Sequence, residues 1–372
     1  MNIAVNTRLQ KTQQPQGYEN FVFNLLEKLT EKFPQHRFIY LFDNPYTGSR
    51  VFAKNVSPVV VGPITSNSLK LQYWLNFKIP KILRRHKVDI FLSLDGICSL
   101  RTKIPQSLVV SHLAWMQQSY LQKKWVSAFY KKNIPLFLTK AKSIAAISKY
   151  VKTQIEDNYK LPVDEIDLIY PGVDENFLPL DWEKSETIRE KYTDGKAYFF
   201  YSGNIDEQAN YINLLKAFTF FKKRQKSNML LLIAGKPNEQ FIKDFKTYRL
   251  KNEVKLQQNL TKEETAQLTA AAYAVIYPVL HTDYFSSLLQ AMHCQVPIIT
   301  SDAKAMHSIC GQAAIYCNPA SFEDIAQKMM LVYKDENKAK ALVEAAKNLS
   351  KQYNWDIAAQ TLMQWLEKTI NA

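Results

Sequence analysis

A chain of 372 residues is too long for one ordinary core and about the length of two domains. A hydrophobic share of 47%, with 20 Tyr, 20 Phe and 6 Trp, supplies material for two cores and excludes a disordered chain. The net charge of +14 is concentrated: residues 51–150 hold 16 Lys/Arg against 2 Asp/Glu, which predicts a basic surface open to anionic partners.

In chain order, short apolar strand candidates at residues 3–5, 38–42, 89–93, 107–110 and 143–147 alternate with amphipathic stretches at 21–32 and 149–159. A second series follows. Strands are expected at 198–201, 229–234, 274–278 and 296–300, with helices at 210–224, 261–272 and 287–294 and a final amphipathic helix at 355–370. Strand and helix in repetition argue for parallel sheets covered by helices on both faces. The turn-rich stretch 169–182, with Tyr170-Pro171-Gly172 and Pro179, reads as the linker, giving domains 1–178 and 179–372. The first residues read as a buried strand rather than a secretory leader, and no apolar run reaches the roughly 20 residues of a membrane span, so a cytoplasmic protein is expected. Cys98, Cys294, Cys310 and Cys317 lack CxxC spacing and sit among apolar residues, which suits reduced core thiols.

Two stretches mix cations with aromatics. One runs from residue 70 to 87, with Tyr73, Trp74 and Phe77; the other runs from 123 to 132, with Trp125, Phe129 and Tyr130. At helical spacing such a segment lies in an anionic membrane interface, or else packs its rings inward and keeps its lysines in water; the sequence leaves both open. Nucleic acid is disfavoured, since no standard recognition module is present. Only 9 glycines occur, with neither GxGxxG nor a Walker A sequence, which leaves dehydrogenase and P-loop readings without support.

From Ile3-Ala4-Val5-Asn6-Thr7-Arg8, through Ser93-Leu94-Asp95-Gly96, Tyr170-Pro171-Gly172-Val173, Asn213-Leu214-Leu215 and Tyr277-Pro278, to Val296-Pro297-Ile298-Ile299-Thr300-Ser301, the order and spacing of segments resemble the retaining glycosyltransferases of family four. The resemblance covers nearly the whole chain. It implies a GT-B fold: two facing Rossmann-like domains, the acceptor held mainly by the first and a nucleotide sugar mainly by the second, with the last helix packing back across the cleft. It also implies metal-independent chemistry, in which Arg, Lys and helix N-termini stabilise the leaving diphosphate.

The polar positions that the resemblance marks are largely replaced. After the first glycine turn of the second domain the chain runs Gly203-Asn204-Ile205-Asp206-Glu207-Gln208-Ala209-Asn210, so Gln208 and Ala209 stand where Arg and Lys are expected. A diphosphate there loses its ion pairs and meets two carboxylates, a penalty on the order of a few kcal/mol. The family's glutamate pair becomes Thr282 and Gln290, and its glycines become Asp283 and Phe285, with Tyr284 between them. Gln290 is able to hydrogen-bond a ribose, but Ser287-x-x-Gln290 also has the form of a capping box. Asp283 is a candidate for a displaced sugar-binding carboxylate. In the first domain Ser111 and His112 occupy the places of a His-Asp pair, and the acceptor-side glycine turn is reduced to Gly17.

Two readings follow. In the first, a family-four-like protein of cell-surface polysaccharide assembly has lost or much reduced its donor chemistry and serves as a non-catalytic partner or glycan-binding scaffold. In the second, an active hexosyltransferase holds its nucleotide sugar through Thr282, Asp283, Gln290 and Asn210. A glycan or lipid-linked acceptor, an anionic membrane surface on the inner face, and a protein partner are the companions expected of either.

Overall fold

The computed structural model describes residues 1–8, 18–45, 53–111, 113, 124–161, 165–205, 209–280 and 285–371. The chain divides into two compact α/β units, one of residues 1–172 with 354–372 and one of residues 173–353.

The first unit is built from β1 (Asn2–Asn6), α1 (Tyr18–Lys32), β2 (Arg37–Phe42), β3 (Val56–Val60), α2 (Ser68–Tyr73), α3 (Ile79–Arg85), β4 (Ile90–Ser93), β5 (Gln106–Val110), α4 (Lys124–Lys140), β6 (Ser143–Ala146), α5 (Lys149–Tyr159) and β7 (Ile166–Leu168). Its strands form one parallel sheet in the order β3-β2-β1-β4-β5-β6-β7. The inner strands are buried on both faces, as parallel sheets require. β3 is an edge strand and carries Pro58, which has no N–H to give a second neighbour. Helix α5 begins at Ser148, whose Oγ accepts from the Val151 amide at 3.2 Å.

A π turn, Trp74–Lys78, joins α2 to α3. It drives Trp74 and Leu75 into the core, where the indole N–H donates to the Val61 carbonyl, while Tyr73 and Phe77 remain exposed. The second aromatic stretch behaves differently: Phe129 is buried, and Tyr130 lies half-buried beside Arg8. The two segments that looked alike in sequence therefore differ: the first keeps Tyr73 and Phe77 at the surface around a buried Trp74, and the second turns Phe129 inward.

The second unit comprises α6 (Trp182–Thr193), β8 (Tyr198–Ser202), α7 (Tyr211–Gln225), β9 (Leu230–Ala234), α8 (Glu239–Thr247), β10 (Val254–Gln257), α9 (Lys262–Ala270), β11 (Ala274–Tyr277), α10 (Ser286–His293), β12 (Ile298–Ser301), α11 (Lys304–Cys310), β13 (Ala314–Cys317), α12 (Phe322–Lys334) and α13 (Glu336–Ser350). Its parallel sheet runs β10-β9-β8-β11-β12-β13. An aromatic layer beneath α7 and α12 sets Phe221 edge-on to both Phe199 and Tyr333, at 5.2 and 5.4 Å. All four cysteines are buried free thiols, each pushed up to about 12 with burial as the leading cause.

Residues 173–178, expected from the sequence to belong to the first domain, pack with the second; Lys262 Nζ reaches Asp174 Oδ2 at 3.0 Å. The last helix, α14 (Trp355–Asn371), packs with the first unit. Trp355 meets Phe21 of α1 at 5.9 Å, and Thr369 Oγ1 donates to Ser143 Oγ at 2.8 Å. Gly172 lies directly against Trp355, where any side chain would collide with the indole and its backbone.

Candidate functional site

In an open parallel sheet the crevice for a ligand lies outside the carboxyl ends of the strands where the order reverses. In the second unit that point falls between β8 and β11, and in the first between β1 and β4.

At the β8/β11 point, the turn after β8 holds Gly203, half-buried, and Asn204, exposed. Tyr201 and Tyr277 stack at 5.6 Å beneath it, and the Tyr201 hydroxyl donates to the Asn204 carbonyl at 2.7 Å. Gly235, at the end of β9, sits so close to the Gly203 carbonyl that a side chain has no room, and Ile205 pairs with Pro237. This brings Lys236, exposed and without an ion pair among the described residues, alongside the β8 turn. Sequence reasoning missed Lys236 because the register of β8 with β9 is what places it there.

Asn210 was expected to contact the donor. In the structure it is instead a brace. It adopts a left-handed conformation at φ 57°, is buried, and its Nδ2 donates to the carbonyls of Pro278 and Pro319 at 2.8 and 2.7 Å. Its Oδ1 accepts from Asn213 at 3.0 Å. The side chain thus ties the ends of β11 and β13 to α7, with every polar atom committed. Ala209, where the resemblance implies a cation, is buried.

Helix α10 starts at Ser286 with Phe285 as its cap residue, so the expected capping box is not formed. Ser287 stands inside the first turn, and its hydroxyl donates instead to the Ser202 carbonyl at 2.7 Å, fastening α10 to the end of β8. Gln290 is half-buried one turn later, and no hydrogen bond of its side chain occurs among the described residues. Phe285 is buried. Gly17, His112, Gln208, Thr282, Asp283 and Tyr284 lie outside the described residues.

At the β1/β4 point the polar groups are buried and joined. Asp95 Oδ1 accepts from Asn6 Nδ2 at 2.8 Å and Ser93 Oγ at 2.7 Å, and its Oδ2 pairs with Arg8 Nη2 at 2.8 Å. Burial works most strongly against the Arg8 charge, but the attraction and hydrogen bond of Asp95 together with Tyr130 and Asp43 outweigh it and raise the guanidinium above its usual value. Burial pushes the neighbouring Tyr130 phenol up to about 12. Holding Asn6, Ser93 and Arg8 together in this way, Asp95 acts as a structural hub. Ser111 is buried at the end of β5, two strands from β1.

Residues 15–177 match the family described as Glycosyltransferase Family 4, and residues 184–349 match Glycosyl transferases group 1. Each half of the chain carries a glycosyltransferase-family domain. Among curated relatives, O-antigen chain mannosyltransferase B of Escherichia coli is 20% identical over 61% of this chain and 61% of its own length. O-antigen chain mannosyltransferase RfbU of Salmonella typhimurium is 22% identical over 73% of each. Among solved structures, sucrose-phosphate synthase from Thermosynechococcus elongatus superposes with a TM-score of 0.78 at 14% identity, covering 99% of this chain and 98% of that one. At such identity the likeness speaks for the fold, which is GT-B.

Proposed function

We propose that this protein takes part in assembling a cell-surface polysaccharide of the O-antigen kind, as a glycosyltransferase-fold component whose donor chemistry is lost or much reduced. The relatives' names support the pathway class, and the side chains at the second unit's switch point support weakened donor binding. The observation that carries this reading is the pairing of Asn210, fully committed to Pro278, Pro319 and Asn213, with buried Ala209. Neither offers a diphosphate a charge or a free donor, and a leaving diphosphate needs preorganised positive partners. In this reading the protein holds a glycan or lipid-linked intermediate for a catalytic partner.

A second reading keeps turnover, through Gln290 and the residues around Thr282 and Asp283, with Lys236 supplying positive charge. It is favoured by the unformed capping box, which leaves the Gln290 amide without a protein partner among the described residues. Incubating the purified chain with UDP- and GDP-hexoses and a lipid-linked oligosaccharide pool separates the two. The first reading expects no nucleotide release above the protein-free control; sustained release that falls in Gln290→Ala would establish the second.

A further inference from the structure

We infer that the helical run 68–85 of the first unit is a docking surface for an anionic phospholipid leaflet. The run has two faces. Leu71, Trp74, Leu75, Ile79 and Leu83 are all within 1% of complete burial in the core. On the other side Leu69 is 76% exposed, and Tyr73 and Phe77 are 46% and 49% exposed, three apolar side chains spaced four residues apart. Single exposed hydrophobes are ordinary, but three in register on one short helical segment form a stripe.

The cations around the stripe are arranged for an interface. Tyr73 and Phe77 stack at 5.4 Å; the Arg101 guanidinium lies 4.1 Å from the centre of Phe77, and Lys78 Nζ lies 5.7 Å from that of Tyr73. Lys81, Arg84 and Arg85 follow on the exposed side of α3. No acidic residue occurs between Ala53 and Val88, and the nearest two are already engaged: Asp89 accepts from the Asn2 amide, and Asp95 is buried against Arg8. None of these surface cations has a carboxylate partner among the described residues. A stripe of rings and leucine rimmed by unpaired cations matches the headgroup boundary of an anionic bilayer, where rings enter the acyl edge and cations meet phosphates. A polyanion such as RNA would engage the cations but gives Leu69 nothing to bury against. The inference stands whether or not the protein transfers sugar.

Flotation of the full chain tests it, with vesicles of phosphatidylcholine alone or containing about a third phosphatidylglycerol, at roughly 50 and 500 mM NaCl. Expected are co-flotation with the anionic vesicles at low salt, little with the neutral ones, and release at high salt, because screening shortens the reach of the charges. The exposed-face variant Leu69→Ser/Tyr73→Ser/Phe77→Ser should bind at least tenfold more weakly, with an unchanged circular dichroism spectrum and melting temperature. Lys81→Glu/Arg84→Glu/Arg85→Glu should lose the preference for anionic lipid. Absence of flotation at low salt would overturn the inference. So would full binding by the serine variant, or equal displacement of wild type and serine variant by tRNA, which would mark a polyanion site instead.

Discussion

Removing the Asp95 carboxylate tests whether the β1/β4 hub is what holds the first unit's switch point. Arg8 and Asp95 side chains are 8% and 6% exposed and meet at 2.8 Å, so Asp95→Ala strands a buried guanidinium and frees two further donors, Asn6 Nδ2 and Ser93 Oγ. Breaking a buried pair from one side costs about 3–5 kcal/mol, because the charge left behind is uncompensated. At about 1.4 kcal/mol per tenfold, opening of β1 and β4 should become roughly a hundred- to a few thousand-fold more frequent. Hydrogen exchange of peptides covering residues 1–8 and 88–96 reads this locally, which matters in a two-unit chain where one global transition is not assured. Replacing both partners, Arg8→Met/Asp95→Leu, should restore most of the protection, since an apolar pair of similar volume carries no stranded charge. If Asp95→Ala raises exchange less than about fivefold, or if the double variant is worse than the single, the hub does not stabilise the unit in the way described.

Three other outcomes are expected. Asn210→Gly keeps the left-handed backbone but leaves the Pro278 and Pro319 carbonyls without their donor, so unfolding of the second unit in urea should become easier by about 1–3 kcal/mol; an unchanged midpoint would contradict the bridging role. His293, at the end of α10, has its pKa lowered by burial, with the backbone of Tyr353 and Ser350 acting the other way. Its neutral form is therefore the folded one: its share of stability is present above the unfolded value near 6.5 and is lost as pH falls through the lower folded value. His36 and His86 shift in the same direction, so His293→Gln should flatten the pH dependence of the urea midpoint between about pH 7.5 and 5 without abolishing it, and parallel profiles would refute the assignment. Residual nucleotide diphosphate contact, read by ligand-observed NMR at millimolar concentration, should weaken in both Gln290→Ala and Lys236→Gln; indifference of both variants would displace the donor site from the β8/β11 point.

How much of this was legible in sequence depends on burial. Every strand that the sequence pattern reveals, such as residues 38–42 or 229–234, lies inside a sheet, where apolar side chains cover both faces. The four missed are the edges: β3 with Pro58, β7 with the sequence Ile-Asp-Leu, β10 with the alternating apolar and polar sequence Val-Lys-Leu-Gln, and β13. Short edge strands of three to five residues carry too little periodicity to stand out from loops. The site was less legible than the fold because its side chains are assigned by register and by local backbone geometry. Asn210 has the chemistry of a ligand contact, and only its left-handed backbone and the nearness of Pro278 and Pro319 reveal a brace. Ser287 and Gln290 have the spacing of a cap, but the helix begins at Ser286, one residue before the serine that was to cap it. The same limit applies to the two basic aromatic stretches, which composition cannot separate and which the π turn at Trp74 does.

The most direct test of weakened donor chemistry is a calorimetric titration of the purified chain with UDP, GDP and their hexose conjugates at low and physiological salt. With Ala209 buried and the Asn210 side chain held by Pro278, Pro319 and Asn213, weakened donor chemistry predicts no dissociation constant tighter than about the millimolar range for any of them, corresponding to roughly −4 kcal/mol. Micromolar binding of one nucleotide, lost on Gln290→Ala, would contradict weakened donor chemistry and identify the donor class of a working transferase.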